Sequence, residues 1–212
     1  TPVIIITKAV IISTGAAART LKLDNEEKLM GRGLSTCATC DGFFYRNKTV
    51  AVIGGGDSAM EESIYLANIC KEVILIHRRN DFRASKIMSD RAKKHPKIKI
   101  MTPWTVEELL HNESGLIGAK LINTESNDKQ DLKVDGLFYA IGHIPNSSIF
   151  ANYVDLDENQ YIKTTNFTET KTKGVFAAGD IADPTFKQAI TAAGMGCQAA
   201  IQAAKYIESL EQ

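Results

Sequence analysis

The stretch Val50-Ala51-Val52-Ile53-Gly54-Gly55-Gly56-Asp57-Ser58-Ala59 decides the fold of this 212-residue chain. Its first four residues are apolar and read as a short buried strand. Gly54, Gly56 and Ala59 then fit the spacing G-x-G-x-x-[GA]. Gly54 permits a tight turn, Gly56 lets the backbone approach a pyrophosphate, and Ala59 allows close packing of helix on strand. Residues 57–70 continue as a helix, with Met60, Ile64 and Ala67 recurring at i, i+4 and i+7. Glu61 and Glu62 lie early in it, where the helix dipole favours anions. Val73-Ile74-Leu75-Ile76 is the next strand. Strand, helix and strand form a βαβ unit whose crossover should be right-handed. A glycine-rich turn that follows a strand and opens a helix aims free N–H groups at phosphates, so Asp57 and Ser58 join the glycines as a candidate dinucleotide site.

The second strand runs into His77-Arg78-Arg79, with Arg83 close behind. A site for NAD would carry Asp or Glu here, to bind the ribose 2′-hydroxyl. A basic cluster at this position suits a 2′-phosphate instead, and so favours NADP. His77 and His143, at strand ends, are placed to face the nucleotide. His95 and His111 are expected on the surface.

Before this unit lies Cys37-Ala38-Thr39-Cys40-Asp41-Gly42-Phe43-Phe44. A Cys-x-x-Cys pair can form a small, reversible disulfide, and Asp41 beside it could move a proton as a thiol leaves. A zinc site would need two further ligands at recognisable spacing, and none is present. Cys70 and Cys197 fall in expected helices and read as buried small hydrophobes. Gly194-Met195-Gly196-Cys197-Gln198-Ala199 repeats the bare glycine spacing. No strand precedes it, so it reads as close helix packing.

Elsewhere, residues 4–6 and 9–12 read as two short buried strands. Residues 24–29 form a short polar helical piece, and residues 84–94 a basic surface helix. Ile98 and Ile100 alternate with lysines as in a half-exposed strand. Strands are expected over 116–122, 132–141, 161–162 and 175–178, and a final helix over 187–209. Apolar strands that end in glycine recur at Gly15, Gly54, Gly142 and Gly179. That pattern places ligands at the carboxyl edge of an α/β sheet.

Apolar residues make up 44% of the chain and charged residues 24%, ordinary values for a globular protein. The formal net charge is zero, which gives no electrostatic case for nucleic acid or an anionic membrane as partner. The apolar runs are too short to span a bilayer. No signal peptide is visible, and the cysteine usage suits a cytoplasmic protein.

Taken together these residues resemble the low-molecular-weight thioredoxin reductases, within the pyridine nucleotide-disulfide oxidoreductases. The likeness runs from about Lys8 onward. It rests on the segment from Cys37 to Tyr45, the Gly54 turn, His77-Arg78-Arg79 with Phe82-Arg83, the segment from Gly174 to Asp180 and the segment from Lys187 to Gly194. It implies an α/β fold of two Rossmann-like three-layer nucleotide-binding domains. The NADPH domain, residues 21–141, is inserted into a discontinuous FAD domain made of residues 1–20 and 142–212. The family's FAD domain opens with its own glycine fingerprint. This chain has only the NADPH one, so the resemblance implies a chain lacking the first half of the FAD domain.

By the same likeness, Cys37 attacks the disulfide of thioredoxin, Cys40 faces the flavin and Asp41 is the acid/base. Gly54, Gly56, Asp57, Ser58, Ala59, His77, Arg78, Arg79, Arg83, Ile141 and Gly142 would hold NADPH. Thr14, Gly15, Cys40, Gly179, Asp180, Lys187, Gln188 and Ala189 would hold FAD, with no metal. The family more often carries Arg where Lys187 stands, and Lys lacks the planar fork. The implied function is NADPH-dependent reduction of thioredoxin through FAD and the cysteine pair, in a homodimer. The alternatives are a related flavoprotein reductase for another disulfide carrier and a truncated, non-catalytic NADPH-binding module.

Overall fold

The computed structural model describes residues 3–211. The chain forms two compact units, one made of residues 1–17 and 143–212 and the other of residues 18–142. In chain order, β1 (Val10–Ile12) and β2 (Ala16–Ala18) lead into the second unit. There follow α1 (Glu26–Leu29), β3 (Leu34–Ser35), α2 (Ala38–Asp41), β4 (Thr49–Ile53), α3 (Asp57–Ile69) and β5 (Glu72–Ile76). Next come α4 (Lys86–Lys94), β6 (Ile98–Met101), β7 (Trp104–Asn112), β8 (Gly115–Asn123), β9 (Lys129–Lys133) and β10 (Gly136–Tyr139). The chain returns through β11 (His143–Pro145), β12 (Val175–Ala177) and α5 (Ala189–Ser209).

The unit of residues 18–142 is built in three layers. Its centre is a parallel sheet in the order β3-β10-β4-β5-β6. A parallel sheet covered on both faces needs strands that are apolar on both sides, which explains the unbroken runs at 50–53 and 73–76. Alternate residues then go to opposite cores. Val50, Val52, Val73, Leu75 and Phe138 pack with Ala59, Met60, Leu66 and Ala67 of α3 and Ala92 of α4. Ala51, Ile53, Ile74, Ile76, Leu137 and Tyr139 pack with Val106 and Leu109 of β7 and with Leu116, Ala119 and Leu121 of β8. The third layer is therefore the antiparallel sheet β7-β8-β9. Full burial of a side chain such as Met60 contributes roughly 1.5–3 kcal/mol.

The unit of residues 1–17 and 143–212 holds a parallel pair, β1 with β12, in the register Val10 to Val175, Ile11 to Phe176 and Ile12 to Ala177. One face packs Ile12 and Ala177 with Val154, Ile162 and Ile181. The other packs Phe176 and Ala178 against Ala199 and Ala203 of α5. Strand β2 pairs with β11. No helix among the described residues is long and apolar enough to cross a membrane.

Several expectations need correction. Residues 4–6 form no buried strand. Ile4, Ile5 and Ile6 are at least 81% exposed and lie outside any element, because no neighbouring strand pairs with them among the described residues. Strand β7 carried no clear alternation in the sequence. Tyr161-Ile162 is not a strand but makes an isolated bridge, from Ile162 to Leu156. Cys70 is buried, and burial pushes its thiol up to about 11. Cys197, in contrast, is exposed. Only Ala199 and Ala203 of α5 are buried, so that helix presents a narrow buried stripe and Cys197 lies off it. A Cβ on Gly194 or Gly196 would meet nothing within 4 Å, so those glycines do not mark close helix packing.

Candidate functional site

Strands β10, β4 and β5 are adjacent and parallel, so their carboxyl ends share one edge. The chain runs from β4 through α3, β5 and α4 to β6, and then returns by way of the antiparallel sheet to β10 on the opposite side of β4. Strand order thus reverses between β4 and β10. In open α/β sheets that reversal marks the crevice where ligands sit. The turn with Gly54, Gly56, Asp57, Ser58 and Ala59 leaves β4 at this edge. His77, Arg78, Arg79 and Arg83 leave β5 there, and Ile141 and Gly142 leave β10.

Each glycine of the turn has a different reason to be glycine. A Cβ on Gly54 would lie 2.4 Å from the Ala140 carbonyl oxygen and 2.6 Å from the Ala59 Cβ. A Cβ on Gly55 would lie 2.3 Å from the His77 ring. A Cβ on Gly56 would meet nothing within 4 Å, and Gly56 has ordinary extended backbone at φ −99°. The space over Gly56 is therefore open at the start of α3, where no side-chain hydrogen bond caps the helix. That arrangement fits a pyrophosphate received by helix N–H groups.

Arg78, Arg79 and Arg83 are exposed, and the loop bearing them is firmly anchored. The amides of Arg83 and Ala84 donate to the Gly55 carbonyl at 2.7 and 3.0 Å. The Ser85 amide donates to Asp57 Oδ1 at 2.8 Å. Thr124 Oγ1 donates to the Arg78 carbonyl at 2.8 Å. His77 is buried, its ring stacked on Phe82 at 5.3 Å and its Nε2 3.2 Å from the Asp81 carbonyl oxygen. His77 is thus a post under the arginine loop, which differs from a histidine facing the nucleotide. Asp57 likewise spends its carboxylate on the loop.

Burial lowers the His77 pKa, and the charges of Arg78, Arg79 and Arg83 lower it further, against the opposing bond to Asp81. The unfolded chain therefore binds a proton here that the folded chain resists. Stability should be lost as pH falls below about 6.5, the ordinary histidine value. His143 is lowered too, first by burial and then by Lys187, and acts in the same direction. Thermal melting of the chain between pH 7.5 and 5.5 should show a falling midpoint, and His77→Gln should flatten that slope. An unchanged slope in the variant would contradict the role given to His77.

Cys37 and Cys40 are joined in a disulfide with their Cα atoms 5.3 Å apart. Cys37 is the N-cap of α2, where its Sγ accepts from the Cys40 amide at 3.2 Å. Cys37 is half-buried and Cys40 exposed. Asp41 closes α2, and its Oδ2 accepts a 2.7 Å bond from Ser35 Oγ. Phe43 and Phe44 follow in the chain and are 66% and 71% exposed.

In the other unit, β1 and β12 are parallel, so Thr14 and Gly15 after β1 share a carboxyl edge with Gly179 and Asp180 after β12. Gly15 and Gly179 both have positive φ, at 69° and 80°, as sharp turns off strands require. Lys187 and Gln188 precede α5 and Ala189 opens it, with Gln188 and Thr191 forming a reciprocal capping box. These residues fit a ligand lying along that edge. Asp183 belongs to none of the sequence motifs, yet it organises the loop before α5. Burial alone would raise its carboxyl, but the amides of Phe186, Thr185 and Lys187 and the Lys187 charge hold it below the usual range. Those bonds, at 2.9, 2.9 and 3.2 Å, wrap the loop and keep Lys187 at φ 50°. The Asp183-Pro184 dipeptide was the available signal, since such pairs open turns.

The chain matches the family model described as "Pyridine nucleotide-disulphide oxidoreductase" over residues 4–196. It is 49% identical over 212 residues to a thioredoxin reductase of Coxiella burnetii, covering 96% of this chain and 66% of that protein. It is 48% identical over 201 residues to a bifunctional thioredoxin reductase/thioredoxin of Mycobacterium leprae, covering 94% of this chain and 44% of that protein. The crystal structure of thioredoxin reductase from Streptococcus pyogenes superposes with a TM-score of 0.90 at 36% identity, over 95% of this chain and 66% of that one. The chain therefore spans no more than 66% of the length of these relatives. A family match that takes in the cysteine pair, the glycine turn and both parallel sheets leaves one assignment: this chain belongs to the pyridine nucleotide-disulphide oxidoreductase family.

Proposed function

We propose that this chain serves the NADPH-dependent reduction of a thioredoxin disulfide, with FAD and the Cys37/Cys40 pair as carriers. The observation that carries this reading is the coupling of two chemistries in residues 18–142. A Cys-x-x-Cys disulfide occurs in the same unit as a strand-order crevice fitted for a phosphorylated dinucleotide. Arg78, Arg79 and Arg83 recognise the 2′-phosphate, and the Gly56 turn with the start of α3 receives the pyrophosphate. The flavin, when bound, supplies two-electron transfer between nicotinamide and disulfide. Thr14, Gly15, Gly179, Asp180, Lys187, Gln188 and Ala189 would hold it. On this reading, residues 21–141 are the NADPH domain, and residues 1–20 and 142–212 are parts of the FAD domain. The names of the relatives support thioredoxin as the acceptor, and the fused M. leprae relative does so most directly. The enzyme would be a cytoplasmic homodimer.

Gly56→Ala tests the nucleotide site. The added methyl touches no protein atom, so stability should stay within about 0.5 kcal/mol of the parent. The methyl would stand where the pyrophosphate approaches, and NADPH affinity should fall about tenfold or more. Calorimetric titration of the 212-residue chain reads both the affinity and, on heating, the stability. Undiminished NADPH affinity in Gly56→Ala would refute this placement of the pyrophosphate.

A further inference from the structure

The Ser35 hydroxyl stands between the two reactive parts of the Cys-x-x-Cys segment. Ser35 lies on β3, where it pairs with Phe138, and it is 2% exposed. Its Oγ accepts from the Cys37 amide at 3.1 Å. It also donates to Asp41 Oδ2 at 2.7 Å. A longer contact, 3.4 Å, reaches the Cys37 carbonyl oxygen. The hydroxyl has one proton to give, and the short bond to a charged acceptor takes it. One buried group on a sheet strand thus fixes both the start of the segment, at Cys37, and the carboxylate at its end.

We propose that Ser35 is a positioning residue for proton transfer in thiol-disulfide exchange, acting through Asp41. This rests on the dithiol reading given above. One thiolate of the reduced pair attacks an acceptor disulfide. A new S–S bond forms to that cysteine and the acceptor bond breaks; the Asp41 carboxylate takes the proton of the pair's second thiol and passes it to the departing sulfur. The second cysteine, now a thiolate, attacks the mixed disulfide, closing the Cys37–Cys40 bond and releasing the second acceptor sulfur as a thiolate, which water protonates. The pair loses two electrons and the acceptor gains two. A poor leaving thiolate depends on that proton, whereas a good one does not. Ser35 therefore matters in proportion to the basicity of the leaving group.

The test uses the full chain, reduced and freed of reductant, with Cys197→Ala in every protein so that the exposed thiol does not contribute. Two probes are compared: hydroxyethyl disulfide, whose alkyl thiolate leaves poorly, and dithiobis(nitrobenzoate), whose aromatic thiolate leaves readily. Ser35→Ala should react about tenfold more slowly with the alkyl probe yet stay within about twofold of the parent with the aromatic one. Ser35→Thr keeps the hydroxyl and should restore the parent ratio. Ser35→Val has nearly the shape of Thr without the hydroxyl and should behave as Ser35→Ala. This pair decides the matter even where Ser35→Ala folds poorly. Adding Ser35→Ala to Asp41→Asn should change the alkyl rate by less than about twofold, because both act on one step. Equal slowing with both probes, or independent effects of Ser35 and Asp41, would overturn the proposal. Failure of the dithiol reading looks different: the reduced parent would form no Cys37–Cys40 disulfide with either probe.

Discussion

A pre-reduced chain carrying Cys37→Ser or Cys40→Ser will deliver no electron pair to oxidised thioredoxin. The parent will reduce it in a single stoichiometric turnover. Net reduction of a disulfide takes two electrons, and one thiol can only trap a mixed disulfide. The loss should be on the order of 10³-fold or more, as expected when an attacking or resolving group is removed outright. The other cysteines cannot substitute. Cys70 is buried, with its thiol pushed up to about 11, and Cys197 on α5 is a free exposed thiol with no disulfide partner, so it cannot supply an electron pair. Cys70→Ala and Cys197→Ala should therefore transfer electrons as the parent does. Thiol counting gives a second readout. On reduction the parent should gain two thiols, from its one disulfide, and Cys37→Ser should gain none. Reduction of thioredoxin by either serine variant at the parent's rate would remove the pair from the mechanism.

The second large effect concerns the nucleotide. Replacing both Arg78 and Arg79 with Ala should lower NADPH affinity by about 10- to 100-fold and leave NADH affinity nearly unchanged. A charge-assisted bond to phosphate is worth roughly 1.5–3 kcal/mol, and the lower end applies because both side chains are exposed to solvent. The structure supports a clean outcome. The loop is held by its backbone to Gly55, Asp57 and Thr124, so losing two exposed side chains leaves its path intact. Titration with NADPH and NADH checks this directly. Equal affinity for the two nucleotides in the parent would sink the assignment, and so would an equal loss of both in the variant.

The sequence by itself determined the middle of residues 18–142. An unbroken apolar run such as Val50–Ile53 suits a strand covered on both faces, and the glycine spacing after it suits a turn into a helix. The observed elements, Thr49–Ile53, Asp57–Ile69 and Glu72–Ile76, lie within one residue of that reading. These signals are local, since each depends on residues a turn or a pleat apart. Strand β7 was hidden because irregularities between Val106 and Glu108 and between Leu110 and His111 break its alternation, so no period of two runs through its sequence. Residues 4–6 misled in the opposite direction. Their composition suits a strand, but a strand also needs a neighbour to pair with. The fate of single side chains was decided only by tertiary structure. His77 is buried because Gly55 has no side chain to exclude it. Cys197 is exposed because α5 buries just two alanines. Ser35 meets Asp41, and Asp183 gathers three amides, because the backbone folds back over six residues in one case and four in the other. Residue types and spacing can suggest a redox pair or a phosphate turn. Which polar groups hold those motifs in place depends on hydrogen bonds that form only once the strands and turns have packed.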